Sequence, residues 1–274
     1  LTELGVPPDE RPDALRLLRS RVSPIVSTAA RRVAPSSAAV RQTPSAGAGS
    51  SGGLPLPATS LIGRDAEIGR LRELLRNPEA RLVTLVGPPG IGKTRLALAL
   101  TQSLRDQFAA GVFFVELAPL TDPGLVPSAI AALFGVGHRG GEELVALLAE
   151  YLRDKQMLLV LDNFEHLLAA APTVDLLLKQ APGLKVLATS RAPLQVYGEK
   201  EYPVPALRVP DEEPDQSLEE LARYDAVRLF VERARDIVPD FEITSENATT
   251  LGAICRRLDG LPLALELAAA RIRI

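Results

Sequence analysis

Short apolar runs alternate with stretches in which apolar residues return every three or four positions, from about residue 61 to residue 204. After Leu61-Ile62-Gly63-Arg64-Asp65-Ala66-Glu67, the residues Ile68, Leu71, Leu74 and Leu75 share one helical face until Asn77-Pro78 ends it. Leu82 to Val86 is an apolar run with strand character, and a helical pattern from Arg95 to Phe108 follows it after a glycine-rich turn. Gly111 to Leu117, aromatic and β-branched, predicts a buried strand. Helical patterns over Val126 to Phe134 and Glu142 to Arg153 come next. The run Met157 to Asp162 then predicts a strand ending in a carboxylate, and Leu184 to Arg191 one ending in an arginine, with a helix from Glu165 to Leu178 between them. A short strand near Glu201 to Val204 is the last of five. Strands separated by helices imply an α/β fold, a parallel sheet covered on both faces with ligands at the carboxyl edge of its strands.

From Pro205 the pattern becomes all-helical, after an acidic connector at Asp211 to Asp215. Ser217-Leu218-Glu219-Glu220 has the form of a capping box. Val227, Phe230, Val231 and Ala234 make one apolar stripe, and Leu251, Ile254, Cys255 and Leu258 another. Gly260 stops that helix and Pro262 opens the next, where its missing N–H costs nothing. The expected organisation is a nucleotide-binding domain at 59–207 and a small, truncated all-α domain at 208–274. Residues 34–58, rich in Ala, Pro, Ser and Gly, read as a flexible linker, and 1–33 hold one helical pattern, Pro12 to Arg21, of unknown role. The chain begins at Leu1 and stops inside a helical pattern, so it reads as an excerpt of a longer protein.

Composition narrows the function classes. With 31 Lys+Arg against 34 Asp+Glu, the chain has no overall basic footprint for nucleic acid or an anionic membrane. The single Cys255 excludes an internal disulfide and a cysteine metal site, which suits a cytoplasmic location, and its place in an apolar stripe makes it a core thiol. No apolar run approaches the roughly 18 residues of a membrane span without a charge or a breaker.

The chemistry centres on Gly87-Pro88-Pro89-Gly90-Ile91-Gly92-Lys93-Thr94, which fits G-x-x-x-x-G-K-[ST] between a strand and a helix. Glycines let backbone N–H groups turn inward around an anion, and the helix start adds the positive end of its dipole. Lys93 is placed to reach β- and γ-phosphates, and the Thr94 hydroxyl to sit on Mg²⁺. Asp162 suits the carboxylate that holds the ion beside Thr94, or else a helix N-cap. Asn163 stands where many P-loop ATPases carry a second acid; an amide orients water but takes no proton. The nearest carboxylate, Glu165, serves either catalysis or the cap of the following helix, and His166 reads as a surface or packing residue. Arg191 either contacts a γ-phosphate or fixes the loop after its strand.

Five motifs in order resemble one family, the STAND-class P-loop ATPases of NB-ARC type. They are Leu61 to Glu67, the Walker A loop Gly87 to Thr94, the Walker B strand Leu158 to Asp162, Thr189-Ser190-Arg191, and Gly260-Leu261-Pro262-Leu263-Ala264. Leu161 to His166 and Arg256 to Pro262 are similar to the large bacterial transcriptional regulators of that class. The resemblance, over about 59–274, implies a P-loop NTPase sheet of additional-strand order, with the Arg191 strand between those leading to Gly87 and Asp162. It implies ATP/ADP and Mg²⁺ as cofactors, Arg95 beside the loop, and adenine held by Ile62, Gly63, Arg64 and Pro262. It further implies a switch that is closed with ADP and self-associates with ATP, that hydrolyses slowly, and that meets DNA only through domains outside this chain. Asn163 departs from the acid of the wider class and leaves open a nucleotide-binding scaffold without turnover; a separate and more remote alternative is a metabolic P-loop enzyme. The latter would need a lid arginine cluster that the sequence lacks.

Overall fold

In the computed structural model, residue 55 and residues 59–137, 141–211 and 217–272 are described. The helical pattern at 12–21, all but one residue of the linker and most of the acidic connector lie outside them.

Five parallel strands form one sheet: β1 (Leu82–Val86), β2 (Val112–Glu116), β3 (Met157–Asp162), β4 (Leu184–Ser190) and β5 (Glu199–Pro203), in the order β2-β3-β4-β1-β5. The strand before Arg191 therefore lies between the two that lead to the phosphate loop and to Asp162. Side chains alternate across the sheet, as the pleat requires. Met157, Leu159 and Leu161 of β3 enter one core with Leu184 and Val186, while Leu158 and Val160 enter the other with Val83 and Leu85. The first core is closed by α3 (Val126–Phe134), α4 (Gly141–Leu152) and α5 (Ala171–Gln180), through residues such as Ile130, Leu148 and Leu177. The second is closed by α1 (Asp65–Arg76) and α2 (Lys93–Leu104), through Leu71, Leu96 and Leu100. This is the α/β P-loop NTPase fold, followed by an all-α region.

Two boundaries depart from the periodicity. The helix after the phosphate loop ends at Leu104 and tightens into a 3₁₀ turn over Arg105–Gln107. The helix expected from Glu165 begins only at Ala171, after 3₁₀ turns at Phe164–His166 and Leu168–Ala170. The 3₁₀ turns keep Phe164, Leu167 and Ala170, three residues apart, all buried on one side, before Pro172 sets the first turn of α5. Glu165 is therefore no cap of an α-helix.

The helical region contains α6 (Leu218–Leu221), α7 (Asp225–Arg235), α8 (Ala248–Arg257) and α9 (Pro262–Ala269). Both bonds of the Ser217–Glu220 capping box are formed. Its core joins Leu221, Val227, Phe230, Leu251, Cys255 and Leu265 to Leu207 of the connecting segment and to Ile62. Gly260 has φ 62° and lies so close to that segment that a Cβ would sit 2.1 Å from the Leu207 carbonyl oxygen. Leu207 N–H donates to the Gly260 carbonyl at 3.0 Å, so the same close approach that excludes a side chain ties the connecting segment to the helices.

Candidate functional site

The turn from β1 to α2 is shaped by Gly90 and Gly92, at φ 79° and 93°, a region that favours glycine. Gly92 is the N-cap of α2 and supplies no side-chain bond, so the first N–H groups of the helix face outward without an intrahelical acceptor. Lys93, 7% exposed, donates from Nζ to the carbonyls of Gly87 at 2.7 Å and Pro88 at 3.1 Å. Burial lowers its pKa, Glu165 and Asp162 raise it and Arg191 lowers it, so all three charges bear on the ammonium.

Beneath the loop, Thr94 Oγ1 donates to Asp162 Oδ1 at 2.8 Å and Thr189 Oγ1 donates to the same oxygen at 2.6 Å. Thr189 also accepts from Asn163 N–H at 2.9 Å. Pairing of β3 with β4 makes this triad possible, since Leu161 is in register with Ala188 and the following residues are Asp162 and Thr189. Burial raises the Asp162 pKa, the two hydroxyl bonds lower it, and Glu116 and Glu165 raise it. Thr189 was legible only as part of a motif; its role depends on which strands are neighbours.

A cavity of about 320 Å³ opens above the loop. Ten residues singled out in the sequence line it: Pro89, Gly90, Gly92, Lys93, Thr94, Arg95, Asn163, Glu165, Arg191 and Pro262. Leu263, part of the Gly-Leu-Pro-Leu motif, and Glu266, to which the sequence drew no attention, complete the lining. Gly87, Pro88 and the buried Ile91 shape the loop without lining this cavity, and Asp162 lies under Thr94.

Several expected side chains are committed elsewhere. Ile62 belongs to the helical core, and a Cβ at Gly63 would collide with Asp225 at 2.4 Å. Arg64 is 3% exposed and donates to the carbonyls of Pro205 at 2.8 Å and Ile91 at 3.1 Å, bracing the loop from behind. None of these three lines the cavity. Arg95 lines it but directs its guanidinium to Glu266, Thr59 and Ser60. Arg191 Nε pairs with Glu165 Oε1 at 3.0 Å, the arginine side chain 62% exposed and the glutamate 17%. Glu165 Oε2 is buried without a hydrogen-bond partner among the described residues, an acceptor left over inside the site. His166 Nε2 lies 2.8 Å from the Leu120 carbonyl oxygen, a packing contact, and burial pushes the Cys255 thiol up to about 12.

The donor set fits a polyphosphate with a hard cation. Outward N–H groups, a buried ammonium and a helix start suit the anion, and a hydroxyl bonded to a carboxylate suits Mg²⁺. Among the described residues no group of three or more His, Cys, Asp or Glu side chains is arranged to hold a metal by itself.

Residues 76–197 match a family model described as an AAA domain. A protein of Mycobacterium tuberculosis (strain ATCC 25618 / H37Rv), named as uncharacterised, is 41% identical over 214 residues, 78% of this chain and 51% of that protein. A second protein of that strain, named as a candidate HTH-type transcriptional regulator, is 44% identical over 196 residues, 70% of this chain and 20% of the relative. The chain thus spans about half the length, or less, of these curated relatives. Among solved structures, the Pyrococcus horikoshii STAND protein with a tetratricopeptide repeat sensor superposes with a TM-score of 0.50 at 17% identity, covering 78% of this chain and 30% of that one. Drosophila ORC bound to DNA gives 0.53 at 16% identity, covering 96% and 67%. At such identities these two likenesses speak for the fold alone. Sheet order, phosphate loop and matched family model agree that this chain carries a domain of the P-loop NTPase fold, similar over residues 76–197 to the AAA domains.

Proposed function

We propose that the chain is the ATP/ADP-binding switch module of a signal-transduction or transcriptional regulator, with slow Mg²⁺-dependent hydrolysis. The observation that carries this reading is the convergence on one cavity of the uncapped start of α2, Lys93 and Thr94 with Arg191 and, from the helical region, Pro262. Residues 59–207 bind the nucleotide and 208–274 cover it. Lys93 and the loop N–H groups hold the β- and γ-phosphates, and adenine packs against Pro262, while the Ile62-Gly63-Arg64 segment, which does not line the cavity, braces the loop through Arg64. Thr94 and Asp162 hold Mg²⁺, which when bound neutralises charge on the phosphate oxygens. Arg191 reads the γ-phosphate: its pair with Glu165 is exposed enough for an anion to compete for it. Glu165 then has the carboxylate oxygens to accept a proton from water, which the Asn163 amide orients.

A nucleotide moves a switch only if the two arrangements hold it with different affinity, and Arg191 supplies that difference. The similarity to a candidate regulator supports the transcriptional setting. In this reading the ATP state self-associates and DNA is contacted only through domains outside this chain. A cytoplasmic location belongs to this reading and suits a chain whose one cysteine is free and buried. A second reading, a nucleotide-held scaffold without turnover, is favoured by Asn163 lining the cavity in place of an acid.

Identifying the nucleotide released on denaturing the purified protein, together with phosphate release from Mg·ATP, tests both. Retained ADP with slow phosphate release is the expected result. Bound nucleotide without phosphate release would favour the scaffold, and failure to bind either nucleotide would sink both readings.

A further inference from the structure

One carboxylate ties the cover to the phosphate loop. Glu266 Oε1 accepts from Arg95 Nη1 at 3.0 Å and from Arg233 Nε at 3.1 Å. Arg95 belongs to the first turn of α2, directly after Thr94, and its Nη2 also donates to the Thr59 carbonyl at 3.0 Å and the Ser60 carbonyl at 2.6 Å. Arg233 is on α7, its side chain 11% exposed, and also faces Glu232 and Asp236 at 3.6 and 3.7 Å. Glu232 in turn accepts from Ser60 Oγ. The phosphate-loop helix, the lead-in segment, α7 and α9 thus meet around a single side chain.

The position of Glu266 gives this junction a purpose. It is four residues after Pro262, hence on the same face of α9, and both line the cavity. One turn away, Leu263 N–H donates to the Gly90 carbonyl at 3.2 Å. The buried residues of α9, Leu265 and Ala269, belong to the helical core, whereas Leu263 and Leu267 are 50% and 60% exposed. Most of the buried apolar surface of α9 therefore lies against its own helices, while it meets the loop through polar contacts and the close packing of Leu263 on Gly90. A lone carboxylate would repel a polyphosphate in this cavity; two arginines neutralise it.

We propose that Glu266 is a positioning residue, a clasp that holds the helical cover over the phosphate loop and sets the rate at which a nucleoside diphosphate leaves. The inference rests on the nucleotide reading above. The Glu266 and Arg95 side chains are 28% and 29% exposed, so the clasp is strong enough to matter and still open to salt.

The test is stopped-flow release of a fluorescent ADP analogue from the parent, Glu266→Gln, Glu266→Asp and the Arg95→Ala/Glu266→Gln pair, at low and high salt, alongside thermal melting. Glu266→Gln should speed release about tenfold, the equivalent of ~1.4 kcal/mol. Glu266→Asp, which keeps the charge but shortens the reach, should also speed it. Added salt should accelerate the parent and leave Glu266→Gln nearly unchanged, and the double variant should be little faster than the single. Unaltered release in variants that bind ADP, or faster release only in proportion to lost melting temperature with the salt response intact, would overturn the clasp. A parent that binds no ADP would overturn the clasp and the nucleotide reading together.

Discussion

The two walls of the cavity are built differently. On the sheet side, Lys93 and Asp162 are nearly buried, and each is held by groups that the strands and the loop fix in place: two loop carbonyls for the lysine, two threonine hydroxyls for the aspartate. On the helical side, α9 meets the loop through one backbone bond, the packing of the half-exposed Leu263 on Gly90, and a partly exposed ion-pair junction at Glu266. Charges withdrawn from water depend on fixed partners and lose much when one is removed, whereas partly exposed pairs are weaker and screened by salt. One wall is therefore fixed by buried partners, and the other is held in part by contacts that salt can screen. Arg191 and Glu165 stand between these regimes, on the sheet edge but paired near the surface.

Breaking the rigid wall should have the largest effect. Lys93→Ala removes the buried ammonium beside the loop carbonyls, and calorimetry should find triphosphate binding abolished and ADP weakened as well. Unchanged ATP affinity would mean that the cavity is not the site. Glu165→Gln should reduce phosphate release by at least about a hundredfold, the lower range for a general base, while ATP still binds. Equal rates in variant and parent would leave Glu165 only its ion pair with Arg191.

Arg191→Ala should weaken ATP at least about tenfold and leave ADP nearly unchanged, because one or two charge-assisted hydrogen bonds of roughly 1.5–3 kcal/mol each are lost only with a γ-phosphate. Equal loss for both nucleotides would make Arg191 a general anion clamp and remove the proposed reader. The smallest effect concerns the sheet itself. Thr84 Oγ1 is fully buried in β1 and has no hydrogen-bond partner among the described residues. Thr84→Val keeps the shape and removes the unsatisfied hydroxyl, so denaturant unfolding should show a gain of about 1 kcal/mol. A loss would mean that the hydroxyl is satisfied by water.

Elements with a strong local signal were legible from the chain: the strand over Met157–Asp162, the helix over Val126–Phe134 and the Ser217 capping box coincide with the structure. Local spacing misled at Glu165, because the buried series Phe164, Leu167, Ala170 is compatible with an α-helical stripe until the 3₁₀ turns are seen. Arg64 and Arg95 were marked by motif position, which is blind to direction: one guanidinium braces the back of the loop and the other reaches the cover.

The sequence alone determined the alternation of strands and helices, the phosphate loop and the polar residues at the strand ends, since repeat period and turn chemistry act over a few neighbouring residues. It also supplied, through family resemblance, the place of the Arg191 strand. Only the tertiary structure decided that Thr189 and Thr94 share one oxygen of Asp162, that Glu165 pairs with Arg191, and that Glu266 joins Arg95 to Arg233. These contacts link residues from 26 to 171 positions apart. No local preference encodes them; they exist because strand order and the docking of α9 bring polar groups from distant parts of the chain together around the phosphate loop, where a buried charge such as Asp162 requires partners.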